Sequence, residues 1–324
     1  MMKVSILGAG NWGTTLSIML KPRADITLWT IEKIKDRENK KYLPGYKIPP
    51  NVNITMDIEK SVEGSELLVF ALPSQAIREV AHRVSPESNA ILLSVAKGIE
   101  MQTLKRMSEV LAIETRVSPE KICVLSGPNI AREVIRRIPA SCVCASANEN
   151  TAKIVQKLFN SPIFRVYTST DVIGVELGGA LKNIIALAAG ICDGLELGVN
   201  AKGALLTRGI REITRIGTQM GADPLTFAGL SGIGDLITTS FSKDSRNRKV
   251  GEQIGQGKPL QKILDKMVEV AEGIPTTQAT VKLSEKYKCS MPITHEVYQI
   301  LFDGKSPRDG MRDLMTRSPK PENL

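Results

Sequence analysis

An apolar run, Lys3 to Leu7, passes directly into GAGNWG, so that Gly8, Gly10 and Gly13 form G-x-G-x-x-G where a strand pattern meets a helix pattern. In that setting the first glycine makes the tight turn, the second admits a pyrophosphate against the backbone, and the helix N-terminus favours negative charge. The residues that follow keep to the same plan. Asp25 to Trp29, Glu66 to Leu72, Ala90 to Val95, Ile122 to Ser126, Ser141 to Ala145 and Phe164 to Tyr167 each read as strands, with polar or amphipathic helical stretches between most of them. That alternation predicts βαβ units on a mainly parallel sheet. YLPGYKIPPN at 42–51 is too rich in proline and glycine for regular structure and reads as a surface loop.

After about residue 170 the strand signal stops. GVELGGALKNIIALAAGI, AKGALLTRGIREITRIGTQMG, LQKILDKMVEVAEG and TTQATVKLSEKY all have helical spacing. A chain of 324 residues is long for one core. The expected fold is α/β: a Rossmann-type, mainly parallel sheet over residues 1–170, which binds the dinucleotide, and an all-helical, substrate-binding domain over 171–324. The tail SPKPENL is expected to fray. No segment reads as approaching the roughly 18 to 20 apolar residues that cross a bilayer. The start shows no cleavable hydrophobic region, so the expected location is cytoplasmic, without stable membrane insertion.

Within GVELGGALKNIIALAAGI, Leu177, Leu181, Ile184, Ile185 and Ala188 share a broad face that wants a core, while Lys182 lies outside its centre. Gly178, Gly179 and Ala180 are small enough for a backbone or a ligand to approach that lysine. A snorkelling surface lysine is the competing reading. Other unusual residues follow strand ends: ALPSQ at 71–75, SVAKG with Lys97, and LSGPN with Gly127 and Asn129. The carboxyl ends of strands in an open α/β sheet line one crevice, so these loops converge near the dinucleotide. In the second half, Gly232 and Gly234 precede Asp235, and Ser245, Arg246 and Asn247 form a cluster of donors suited to phosphate.

The net charge of +9 points to an anionic partner, but aromatics are only 4% and the basic residues are scattered, which favours phosphorylated small molecules over nucleic acid. Five cysteines without a CxxC pair read as buried small hydrophobes, and His82 and His295 are too few for a zinc site. After the second strand, LWTIEKIK sets Glu32 beside Lys33, which leaves NAD and NADP both open as cofactor.

GAGNWG, YLPG, PSQ, AKGIE, LSGPN, VELGGALKN and GDLITTSFSKDSRNRKVG, in that order, make the chain resemble the bacterial type of NAD(P)-dependent glycerol-3-phosphate dehydrogenase over essentially its full length. The resemblance implies interconversion of dihydroxyacetone phosphate and sn-glycerol 3-phosphate, supplying glycerol 3-phosphate for phospholipid synthesis, with a homodimer as the expected assembly. It implies Lys182 as proton acceptor, and Lys97, Gly127, Asn129, Asp235, Ser245, Arg246 and Asn247 at the substrate. The GxGxxG glycines, Asn11, Trp12, Lys97, Ala131, Arg246, Val270 and Glu272 would contact the dinucleotide. Two positions depart from the family pattern: Asn129 stands where threonine or serine is usual, and Ile31 stands where members that prefer NADPH often carry arginine. Another two-domain dehydrogenase, acting on hydroxyacyl-CoA or a sugar acid, would share the fold. The SRNRK cluster argues instead for a small phosphate ester, and Lys97, Lys182 and Asp235 together argue against a regulatory dinucleotide sensor.

Overall fold

Eight strands pair into one sheet: β1 (Met2–Leu7), β2 (Ala24–Trp29), β3 (Asn53–Thr55), β4 (Leu67–Phe70), β5 (Ile91–Ser94), β6 (Ile122–Ser126), β7 (Ala140–Ala145) and β8 (Phe164–Ser169). Their spatial order is β3-β2-β1-β4-β5-β6-β7-β8. Every neighbouring pair is parallel except β6 and β7, where Val124 lies opposite Ala145. The structure, a computed structural model, describes residues 1–319 together with 321 and 322; the rest of the tail expected to fray lies outside the described residues.

LLVF and ILLS, the β4 and β5 sequences, are buried along their whole length, as befits strands covered on both faces. One face packs under α1 (Asn11–Leu20) and α6 (Glu149–Phe159). The other packs under α2 (Ile58–Val62), α3 (Ile77–His82) and α4 (Met107–Thr115). β3 was not foreseen, because three residues carrying Asn and Thr leave no apolar pattern. The loop at 42–51 is irregular as expected, yet it buries Leu43 and Ile48. Strand order reverses between β1 and β4, and the crevice at such a switch point is where α/β sheets bind ligands.

Past β8 every element among the described residues is helical. After the short α5 (Ala131–Val134) within the sheet half come α7 (Val172–Gly194), α8 (Gly198–Gln219), α9 (Asp235–Phe241), α10 (Arg246–Gly255), α11 (Leu260–Leu264), α12 (Gly273–Lys286), α13 (Pro292–Phe302) and α14 (Pro307–Met315). α7 is the hub, buried continuously from Gly174 to Ile191. Its 23 residues correct the expectation about membrane segments: by length and composition α7 suffices to cross a bilayer, but 89% of its most apolar window is buried within the protein. The helix expected over LQKILDKMVEVAEG is also corrected, since Leu260–Leu264 is helical and the chain then leaves the helix until α12 opens at Gly273. Val268 and Val270 are 59% and 46% exposed, while Met267 and Ala271 meet the core of the helical half without a helix between them.

Candidate active site

Gly8 sits at φ +109, a conformation that side chains resist, and makes the turn out of β1. A Cβ on Gly10 would meet nothing within 4 Å, whereas one on Gly13 would lie 1.9 Å from the Gly8 carbonyl oxygen. The first glycine therefore turns the chain, the second leaves its backbone open to a ligand, and the third lets α1 press against β1. Above this turn opens a cavity of about 830 Å³, walled by both halves of the chain and within the range of cofactor sites. Asn11 and Trp12 line it at the start of α1. The Asn11 Oδ1 is buried without a partner, an acceptor left for something bound there.

At the floor of the cavity Asp235 lies between two ammoniums. Lys97 Nζ donates to Asp235 Oδ2 at 2.7 Å, and Lys182 Nζ donates to Asp235 Oδ1 at 3.0 Å. Lys97 also donates to the Gly127 carbonyl at 2.9 Å and to Asn129 Oδ1 at 3.0 Å, which uses its three protons. Lys182 is 5% exposed, which excludes the snorkelling reading. Burial is the largest influence on it and lowers its pKa to about 8; Asp235 pulls the other way, while Lys97 and Arg246 push it down. Burial opposes ionisation of Asp235 too, but the two lysines together hold its carboxyl below the ordinary range. A lysine so placed exchanges a proton near neutrality, which suits it to acid–base work on an oxygen in the cavity.

Residues 3–152 match the family model described as the NAD-dependent glycerol-3-phosphate dehydrogenase N-terminus, and residues 171–312 match that of its C-terminus. The chain belongs to the NAD-dependent glycerol-3-phosphate dehydrogenase family. It is 49% identical over 330 residues to glycerol-3-phosphate dehydrogenase (NAD(P)+) of a Thermoanaerobacter species, covering 99% of both chains. It is 50% identical to that of Pelotomaculum thermopropionicum, over 97% of this chain and 93% of that one. The crystal structure of glycerol-3-phosphate dehydrogenase from Coxiella burnetii superimposes with a TM-score of 0.93 at 34% identity, over 98% of this chain and 99% of that one.

The remaining expected residues of this dehydrogenase fall into two groups. Lys97, Asn129, Ala131, Lys182, Asp235, Ser245, Arg246, Asn247, Val270 and Glu272 all reach the cavity wall, as do Gly8 and Gly10. Gly13 and Gly127 do not: Gly13 packs α1 against β1, and Gly127 contributes the carbonyl that accepts from Lys97. Arg246 is exposed and pairs with Glu269 at 3.3 Å. Ser245 caps α10 by accepting from the Arg248 amide at 3.2 Å, which leaves its hydroxyl proton free to donate. Asn247 is more committed than the phosphate-binding reading supposed. Its Nδ2 donates to Asn183 Oδ1 and its Oδ1 accepts from the Gly273 amide, both at 2.9 Å. The departure at 129 has a visible consequence, since Asn129 Nδ2 is buried without a partner.

Of the two alternatives for the small residues before Lys182, a backbone or a ligand, it is protein that fills the space at Gly178 and Gly179. A Cβ on Gly178 would lie 2.6 Å from the Ser231 carbonyl oxygen, and one on Gly179 would lie 2.3 Å from Ser126 Oγ and 3.5 Å from Lys97 Cγ. They let Lys97 and the chain leading into α9 close around the α7 lysine. Sequence reasoning missed Thr239, which accepts from Lys182 and donates to Asp235 at 3.1 Å. It also missed Asn183, whose Nδ2 donates to the Lys97 carbonyl at 3.0 Å. The only signals were the i, i+4 spacing from Asp235 to Thr239 and the adjacency of Asn183 to Lys182. Ser74 was overlooked as well: its amide donates to Glu272 at 2.7 Å, and burial raises the Glu272 pKa against that bond. At the β2 end Glu32 is paired with Lys41, Ile31 is exposed, and Lys33, Lys35 and Arg83 share the wall.

Proposed function

We propose that the chain interconverts dihydroxyacetone phosphate and sn-glycerol 3-phosphate with NADH or NADPH, supplying glycerol 3-phosphate for phospholipid synthesis. The observation that carries this reading is the Lys97–Asp235–Lys182 array facing a cavity that opens on the Gly8–Gly10 turn. A bound nicotinamide supplies the hydride to C2 of the ketone, or accepts it from C2 of the alcohol. The open backbone at Gly10 and the N-terminus of α1 take the pyrophosphate. Lys182 Nζ donates a proton to the C2 oxygen during reduction and removes it during oxidation, and Asp235 and Thr239 hold that amine in place. Arg246 at the first turn of α10, the Ser245 hydroxyl and the unpartnered Asn129 Nδ2 bind the substrate's phosphate and hydroxyl groups. Ala131, Val270 and Glu272 border the dinucleotide.

Residues 1–170 act in this reading as the dinucleotide domain and 171–324 as the substrate domain, in a cytoplasmic homodimer. The test is oxidation of NADPH and NADH, measured in parallel with dihydroxyacetone phosphate as acceptor. The parent should turn over, and Lys182→Ala should lose about 10²- to 10⁴-fold in kcat while still binding cofactor. A parent that binds both cofactors and oxidises neither would overturn the substrate assignment.

A further inference from the structure

The loop that carries Lys97 runs from the end of β5 to the start of α4 and closes on itself. Ile99 pairs with Arg106, the Glu100 amide donates to the Lys105 carbonyl at 3.0 Å, and the Leu104 amide donates to the Glu100 carbonyl at 2.9 Å. Ile99, 1% exposed, belongs to the core of the helical half, so the loop is plugged into the partner layer. α7 grips it at two places. Near Lys97 the grip is Asn183, which donates to the Lys97 carbonyl.

At the far end the grip is Glu176. Its carboxylate accepts from Arg106 Nη1 at 2.6 Å, from the Ser108 amide at 2.8 Å and from Ser108 Oγ at 2.5 Å. Glu176 and Asn183 stand seven residues apart, two turns along one face of α7. A buried carboxylate is costly to place, and removing its partner is costlier, so both ends of the loop are fixed to the helix that carries Lys182.

We propose that Glu176 is a positioning residue: by anchoring the Arg106 end of this loop it holds the Lys97 ammonium on Asp235 and beside Lys182. The inference rests on the reading of Lys182 as the acid–base group. The charged groups that face Lys182 are Asp235 from α9, Lys97 from the loop and Arg246 from α10. Of these only Lys97 is held through Glu176. When Lys97 retreats, its repulsion is lost and Asp235 is left to Lys182 alone. Both changes favour the ammonium and move its titration upward.

The test uses Glu176→Gln, which keeps the shape and an acceptor for the Ser108 amide but removes the charge facing Arg106. Ser108→Ala, a milder change at the same anchor, serves as the second variant. Two readouts are taken across pH: kcat for dihydroxyacetone phosphate reduction, and the rate of Lys182 acetylation by trace acetic anhydride, quantified by mass spectrometry. The Lys182 midpoint should rise by roughly half a pH unit in Glu176→Gln and by less in Ser108→Ala. A folded Glu176→Gln protein with the parental midpoint overturns the proposal, even if its Tm or its kcat at every pH is lower. If Glu176→Gln does not fold, the Ser108→Ala midpoint decides by the same criterion. If the Glu176→Gln acetylation midpoint rises above the parental one as expected but the parent reduces no dihydroxyacetone phosphate, the positioning stands and the substrate assignment falls.

Discussion

Lys182 is the residue on which the chemistry turns, and its pKa of about 8 gives the two directions of reaction opposite pH dependence. Below that value it is an ammonium, ready to donate to a carbonyl oxygen; above it, the free amine can accept from an alcohol. Reduction of dihydroxyacetone phosphate should therefore weaken as pH rises through about 8, while oxidation of glycerol 3-phosphate strengthens through the same range. Asp235→Asn removes the one charge that raises the Lys182 pKa, so both limbs should move to lower pH. Steady-state rates in each direction across pH test the pair of statements, and limbs that stay in place in the variant would dismiss the role given to Asp235. The charged members of this array were legible in the sequence, because an ionised group inside an apolar helix or at a strand end needs a reason. Thr239 and Asn183 were not, since an uncharged polar residue on a helix has many ordinary explanations.

Among the elements, the contact between α7 and α10 places the substrate-facing end of α10, and it is made of backbone. A Cβ on Gly251 would lie 2.0 Å from the Leu187 carbonyl oxygen, one on Gly190 2.1 Å from that of Arg248, and one on Gly194 2.2 Å from that of Glu252. Alanine at Gly251 would gain about 1 kcal/mol of helix propensity but force the helices apart, an overpacking cost of typically 1–3 kcal/mol and here at or above the upper end. Gly251→Ala should thus lower stability by about 2 kcal/mol and raise the KM for dihydroxyacetone phosphate, because Arg246 and Asn247 ride on α10. Gly203→Ala on α8, where a Cβ would meet nothing within 4 Å, should instead stabilise by up to about 1 kcal/mol. Denaturant unfolding of the two variants checks the opposed signs. α7 could be read from its spacing, whereas α10 was visible only as a cluster of donors, and their pairing could not be read at all, because a glycine in one helix does not say which backbone will fill its place. The same limit hid the non-helical run after Leu264, whose periodicity looked helical although Val268 and Val270 stay exposed while Met267 and Ala271 meet the core.

At the scale of the molecule, the division into a sheet half and a helical half followed from where strand patterns stop, whereas their mutual placement depends on buried polar ties between distant residues. Lys97 to Asp235, Arg106 to Glu176 and Ser74 to Glu272 each cross between the halves, and none has a local signature. Glu212 on α8 makes a comparable tie inside the helical half, accepting from the Ile293 amide at 2.7 Å and the Thr294 amide at 3.3 Å where α13 begins. Burial dominates there and pushes its pKa from 4.5 up to about 7, against the hydrogen bonds it accepts. The folded protein then holds this proton more tightly than the unfolded chain does. The resulting stability is fully present below about pH 4.5 and is lost as pH rises through about 7, a difference of about 3 kcal/mol. Glu212→Gln cannot ionise, so it lacks this contribution to the pH slope, while Glu272, also raised by burial, is common to both proteins. Urea unfolding at about pH 4.5 and about pH 7.5 should show the parent losing stability relative to Glu212→Gln across that interval. An unchanged difference between the two proteins at both pH values would mean that the α13 amides, and not burial, govern the Glu212 carboxyl.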